Sequence, residues 1–423
     1  MQKLFRNIDL NNNLTVVLFE AAFIGVLISC DPYLPVFLTR LGASTFQVSL
    51  ISSMPAVAGL LLTIPIGQYM MNSQRIVNWY RFPRLASGIA YFLAALMPFL
   101  FHTNQTAIIF ILIIFGMATL PSVILMVTFN VVMNAVAGPG RRYVMMARRM
   151  SIVVLTSAAC VALAGWFLEQ VRFPLNYQIL FMFFAVIGGG LAFYFSSHIQ
   201  LPPNTAPKLR SLPIKETLRG YRRILKGNKT FSSFVWIRFV FILGLMTANP
   251  LIPIYYVREA HASDAWIGII TTLQLGIMVF GYTFWMRKAR GHMPNHTILL
   301  WTTLVLSIYP ALLGSTIVLP LIAGLTVLAY FFQAGLDLVF FDEMMRAVPP
   351  EESIPYVSLA QTIQYIGTIG GPLLGSLLAS QIGLSGALWV GAGIRALAFL
   401  LFFFRPEPLP MEDDQFPVAP AQN

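Results

Sequence analysis

The sequence predicts an all-α membrane protein of twelve transmembrane helices, organised as two halves of six. Three observations carry that expectation: long apolar runs at regular spacing, a one-sided distribution of basic residues, and segments of the first half that recur in the second. The chain is 57% hydrophobic and 10% charged, where an ordinary soluble domain carries about 25% charged residues. With a mean hydropathy of +0.74, it cannot cover its surface with polar groups, and a bilayer is the solvent that suits it.

The run from Leu14 to Leu38 is too long for the apolar core of a signal peptide and lacks a small-residue cleavage site. It is expected to persist as a spanning helix, since about 20 apolar residues cross a bilayer. Eleven further runs follow, and the expected spans are 13–38, 46–70, 83–101, 106–134, 150–168, 176–197, 231–257, 264–286, 297–315, 316–341, 356–380 and 384–404. Only "GSTIVLP" separates the ninth from the tenth. Cys30 and Cys160 both fall inside spans, so no disulfide framework is expected.

Most of the 27 Lys and Arg residues fall in segments on one side of these spans. The other side holds Arg40, Arg172 and Arg258, and Arg238 and Arg395 lie within spans. Basic residues in short loops favour the cytoplasmic side, so both termini are expected there, in a plasma or bacterial inner membrane. The same asymmetry accounts for the net charge of +11. Anionic lipid is the expected partner of that charge, and nucleic acid is not.

The longest polar stretch opens with a Pro-rich "LPPNTAPK" and continues "IKETLRGYRRILKG". Ile214, Leu218, Tyr221 and Leu225 recur at helical spacing with Lys and Arg on the other faces, which predicts a short helix on the inner membrane surface ending at Gly227. The expected organisation is a six-helix bundle over 1–198, a basic linker over 199–230, a second bundle over 231–404 and a disordered cytoplasmic tail over 405–423.

"DPYLPVFLTR" from Asp31 and "NPLIPIYYVR" from Asn249 close the first and seventh spans with Pro, Pro and Arg in register. "FNVVMNAV" from Phe129 pairs with "FDEMMRAV" from Phe341, and "YVMMARRM" from Tyr143 with "YVSLAQTI" from Tyr356. The nearly constant offset indicates a parallel duplication. With these repeats, the twelve spans and the basic central linker, the chain resembles the major facilitator superfamily of secondary transporters. That resemblance implies two pseudo-symmetric bundles around a central cavity lined by spans one, four, seven and ten, and alternating access by rocking of the halves. Its local motifs depart from the family pattern. Gly67 is followed by Met71 where the family's loop signature has Asp, and span five carries "SAACVA" in place of the Gly-Pro motif of drug exporters, while "GGPLLG" from Gly370 stands in span eleven.

Ionisable residues inside a membrane are costly and need a reason. Glu20 and Asp31 lie almost three turns apart on one face of span one, about 16 Å along the axis. The repeat matches Glu20 with Arg238 and Asp31 with Asn249. Glu20 and Arg238 are therefore expected to meet across the cavity or to hold opposite ends of a substrate, with Glu20 as the proton-coupling group. Asp337 lies at similar depth in span ten and is an alternative partner for Arg238. Asp31, beside Pro32, reads as a helix-end, gating or proton-carrying residue. Arg395 is expected to bond to carbonyls of neighbouring helices, and Arg40 and Arg258 to anchor helix ends.

Asn130, Asn134, Asn249 and Gln333, joined by Gln274, Gln361, Gln364 and Tyr365, are candidate cavity residues, although such groups also bond helices together. Phe23 and Phe241, repeat-matched, and the Tyr330, Phe331 and Phe332 cluster suggest an aromatic lining for an amphiphilic solute. The histidines (His102, His198, His261, His292, His296) sit at span ends or in loops; His292 and His296 have i,i+4 spacing, but Gly291 and Pro294 argue against a helical metal face, and no phosphate-binding Walker sequence occurs. No cofactor, no metal and no enzymatic chemistry are expected. The expected function is a monomeric secondary transporter for a small organic solute, driven by protons and directed outward. Uptake of a polar metabolite by a symporter or facilitator is the alternative, and a non-transporting sensor or scaffold is the alternative of another class.

Overall fold

The computed structural model describes residues 12–71, 76–137, 142–201, 214–290, 293–346, 348 and 353–405. Every regular element among them is helical. Eleven helices are long and apolar enough to cross a membrane, and the last, Ser353–Phe403, breaks at Gly383 into two, which completes twelve spans. Gly383 has φ 78° and ψ 170°, a backbone geometry open essentially to glycine. The predicted break between 380 and 384 lies there.

Spans 1 and 7 share a local design. Asn12 and Asn228 cap them with side-chain oxygens that accept from Leu14 N–H and Phe231 N–H. Each is then interrupted. Span 1 consists of Asn13–Ile28 and Tyr33–Arg40, and span 7 of Lys229–Ala248 and Leu251–Arg258. Pro32 and Pro250 start the second pieces, because proline has no N–H to continue the preceding turn. The remaining spans of the first half are Thr45–Met71 (span 2), Ile76–Leu100 (span 3), Asn104–Ala137 (span 4), Arg142–Gln170 (span 5) and the run from Leu175 to Ser196 (span 6). Those of the second half are Asp264–Arg290 (span 8), Asn295–Leu313 (span 9), Leu319–Arg346 (span 10) and the two arms of Ser353–Phe403 (spans 11 and 12). Between spans 6 and 7 the helix Ile214–Gly227 exposes Arg219, Arg222, Arg223 and Lys226 and buries Ile224.

Large apolar side chains face outward, among them Leu61, Trp166, Phe280 and Trp389, each more than half exposed. In water that surface would be untenable, and in lipid it is the expected face. Polar groups turn inward instead. Span 1 is tied to span 5 by Tyr33, whose hydroxyl donates to Val161 O at 2.8 Å.

The halves meet on the side away from the termini, here the far side. Arg40 bonds to Ala262 O (3.2 Å) and pairs with Asp264 (2.8 Å), while Arg258 donates back to Ala43 O (2.5 Å). Asp264 also accepts from Tyr177 at 2.5 Å, and Ala265 N–H donates to Glu169 at 3.2 Å. Just inside this clasp spans 5 and 8 cross at Gly165 and Gly268, where a Cβ on either would lie 3.0 Å from the other's Cα. Deeper still, Thr272 reaches Ala158 O (3.4 Å) and Ser53 reaches Ile369 O (3.4 Å). At mid-depth Tyr365 of span 11 packs over Gly59 of span 2, and its hydroxyl lies 3.2 Å from Met126 Sδ of span 4.

Candidate functional site

On the terminus side of Tyr365, Glu20 and Arg238 each bond within their own half. In the first half Glu20 is completely buried. Its Oε1 accepts from Tyr80 (2.7 Å), Arg84 Nε (3.0 Å) and Ser196 (3.2 Å), and its Oε2 faces Arg149 at 3.5 Å. Tyr80 and Arg84 are one turn apart on span 3 and bond to each other at 3.2 Å. Arg149, on span 5, lies over the Phe129 ring of span 4 at 4.8 Å and leaves its Nε without a partner. Two guanidinium groups thus surround one carboxylate, which ties spans 1, 3, 5 and 6 together.

This arrangement replaces the expected meeting of Glu20 with Arg238. The sequence places Arg84 and Arg149 at span edges, among the loop charges. Spans 3 and 5 begin at Ile76 and Arg142, however, so both arginines sit about two turns inside. There they reach Glu20 first.

Arg238 is half-buried in span 7. It donates to Gln364 Oε1 at 2.8 Å, contacts Met344 Sδ at 3.7 Å and lies 5.5 Å above the Phe340 ring. Its Nε has no partner. The alternative partner, Asp337, is exposed on span 10 and is held by Tyr282 (2.8 Å) and by Gln333 (2.8 Å). Arg238 therefore pairs with neither carboxylate in this conformation.

Asp31 sits exposed in the break of span 1 and accepts a hydrogen bond from the Tyr91 hydroxyl. Asn249 occupies the matching break of span 7, half-buried. Asn134, Gln274 and Gln361 are half-buried, and the side chain of Asn130 lies outside the described residues. Phe23 is stacked on Phe195 at 5.5 Å. Phe241 is fully buried against Phe340 at 5.6 Å, so it faces the seam of spans 7 and 10 and lines no cavity. Phe331 packs against Trp285 of span 8, which also donates to its carbonyl. Arg395, 1% exposed, donates to Leu306 O (2.9 Å) and Leu245 O (3.3 Å), the carbonyl bonding expected of it. Tyr80 and Ser196 were not legible as site residues, because neither hydroxyl stands out in an apolar helix.

Residues 234–422 match the family model described as Major Facilitator Superfamily. The match spans the second half of the chain. No curated protein matches the sequence. Solved structures of transporters share the fold over nearly the whole chain. A bacterial homologue of the iron transporter ferroportin, in an inward-facing state, has a TM-score of 0.70 at 16% identity and covers 92% of this chain and 98% of its own. The nucleoside transporter NupG scores 0.66 at 13% identity, with 93% and 98% covered. A bacterial homologue of the human lysosomal transporter Spinster, inward-facing and unoccupied, scores 0.64 at 13% identity, with 93% and 94% covered. The chain thus has the fold of these transporters and the apolar helices of a multi-pass membrane protein.

Proposed function

We propose that the protein carries a small amphiphilic organic solute across the cell membrane by alternating access, coupled to protons and directed outward. The observation that carries this reading is the one-sided closure. The halves are joined from the far-side loops to Tyr365, while Glu20 and Arg238 below that level bond only within their own halves. The basic loops favour cytoplasmic termini, and in that orientation the structure is inward-facing and ready to accept a solute from the cytoplasm. Met126, Phe129 and Tyr365 near this level suit an amphiphile, since thioethers and aromatic rings adapt to varied apolar shapes. The helix Ile214–Gly227 rests on anionic lipid through its exposed basic face, and each monomer is a complete unit.

Proton carriage fits Asp31 and Asp337 better than Glu20. Asp31 is held by Tyr91, and Asp337 by Tyr282 and Gln333, so no guanidinium fixes either charge. Neutralising Glu20 would instead strand Arg84 and Arg149 without a counter-charge.

The test is counterflow and pH-driven flux of a panel of fluorescent amphiphiles in proteoliposomes. A pH gradient should accelerate flux of any accepted probe, and Asp337→Asn or Asp31→Asn should abolish that acceleration while counterflow survives. Glu20→Gln should lower yield and melting temperature instead. Flux indifferent to the gradient would remove proton coupling, and no exchange of any probe would remove the transport reading.

A further inference from the structure

Arginines at depth in this protein are matched in different ways. Arg84 and Arg149 share the Glu20 carboxylate, and Arg395 is sealed between two backbone carbonyls. Arg238 differs from all three: like Arg395 it has no anion and an unpartnered Nε, but it is half-buried where Arg395 is 1% exposed. It lies nine residues into span 7, about 14 Å from that helix's terminus-side end. Its partners are an amide oxygen, a thioether and an aromatic face, none of them an anion. Among the described residues no carboxylate lies within 4.0 Å of it. A guanidinium has five N–H donors, and the contacts to Gln364 and Met344 use two of them. Asp337, one turn from Phe340 on span 10, is the competing negative charge, but Tyr282 and Gln333 hold it.

A cation kept at this depth without an anion is a standing cost to the fold. Half-buried as it is, it is also the group best able to recover that cost from a ligand. The first half has the same imbalance at comparable depth, with two guanidinium groups to one carboxylate and Arg149 Nε unpartnered. The first half therefore carries excess positive charge at this level, and in the second half Arg238 stands apart from Asp337, whose carboxylate is bonded to Tyr282 and Gln333. Gln364 fixes the plane of the Arg238 fork, and the buried Phe340 and Met344 back it from the core.

We propose that Arg238 binds the head group of the transported solute, and that this solute is an amphiphilic organic carboxylate. The planar fork of Arg238 matches a planar carboxylate through paired charge-assisted hydrogen bonds, while the exposed Met126 and the half-buried Tyr365, which adjoins Gln364, offer apolar surface to the body. This inference rests on the transport reading above and adds the charge class of the solute.

The test uses three probes of equal length on the full chain: 4-phenylbutyrate, 4-phenylbutylamine and 4-phenylbutanol. Binding is followed by thermal shift in detergent, and transport by inhibition of counterflow in proteoliposomes. The carboxylate should bind at least tenfold more tightly than the amine or the alcohol. Arg238→Gln should erase that preference, and Arg238→Lys should retain part of it. Gln364→Leu, which leaves the charge in place, should weaken the carboxylate without bringing in the amine. Equal binding of the three probes, binding led by the amine, or no binding of the carboxylate overturns the proposal. So does a carboxylate preference that survives Arg238→Gln. Counterflow of a neutral or cationic amphiphile would leave the transport reading standing while the anion inference falls.

Discussion

The far-side clasp should set how often the protein opens away from its termini. Asp264 contributes its carboxylate from the second half to a site made by Arg40 and Tyr177 of the first. Asp264→Ala removes both cross-half bonds together. Breaking a fully buried ion pair costs about 3–5 kcal/mol, whereas an exposed pair is worth about 0–1 kcal/mol. Here the Asp264 side chain is 8% exposed and that of Arg40 28%, so an intermediate loss of about 1.5–2 kcal/mol from the closed state is expected. With 1.4 kcal/mol equal to a factor of ten, a far-side-open state populated at about 1% would rise to roughly 10–20%. Spin labels at Thr103→Cys and Ser315→Cys, exposed far-side positions in separate halves, report this as a longer distance component, with Cys30 and Cys160 replaced by Ser. Arg258→Ala removes only a bond to the Ala43 carbonyl from an exposed side chain, and should give a smaller component. An unchanged distribution in Asp264→Ala, or a larger effect from Arg258→Ala, would refute the assignment of the clasp to the ion pair.

Other perturbations separate structural from functional charges. Glu20→Ala leaves Arg84 and Arg149 buried without a counter-charge, and should cost about 3–5 kcal/mol, seen as loss of folded protein in size-exclusion and thermal assays. Arg395→Met, which exchanges a sealed cation for an apolar side chain of similar length, should leave stability unchanged or raised, with transport intact in counterflow. Gly268→Val drives a side chain into Gly165 and the Tyr33 hydroxyl. It should hold spans 5 and 8 apart, populate the far-side-open state in the same distance measurement, and slow counterflow.

The span count, the break at Gly383, the linker helix and the repeat were legible because each is written as a local pattern. Apolar length marks a span, and a Pro or Gly marks its interruption. The Glu20 cluster was not legible. Arg84 and Arg149 look like loop charges until the helices are seen to start two turns earlier, and Tyr80 and Ser196 meet Glu20 only through packing of spans 1, 3 and 6. The expected pairing of Glu20 with Arg238 came from pseudo-symmetry, which assigns equivalent positions but says nothing of nearer partners. Phe241 fell to the same limit. Its match to Phe23 is sound as a register, yet the helix rotates it into the seam with Phe340.

The duplicated segments separate into two kinds, and the difference has a physical cause. Arg40 reaches the chain just past Arg258, and Arg258 reaches the chain just past Arg40. A contact between pseudo-symmetric halves uses the same patch twice, as a two-fold interface does, so both copies must keep the prolines and arginines that shape it. The interior has no such requirement, because a solute has no two-fold axis. There the copies differ: Glu20 is matched by Arg238 and Asp31 by Asn249. One member of the first pair is neutralised by its own half, and the other is left without an anion. Where closure is at stake the repeat is kept, and where charge could select a ligand it is broken. On the proposed reading, the change from Asp31 to Asn249 goes with the selection of solute and proton, and Pro32 and Pro250 beside them with the gate.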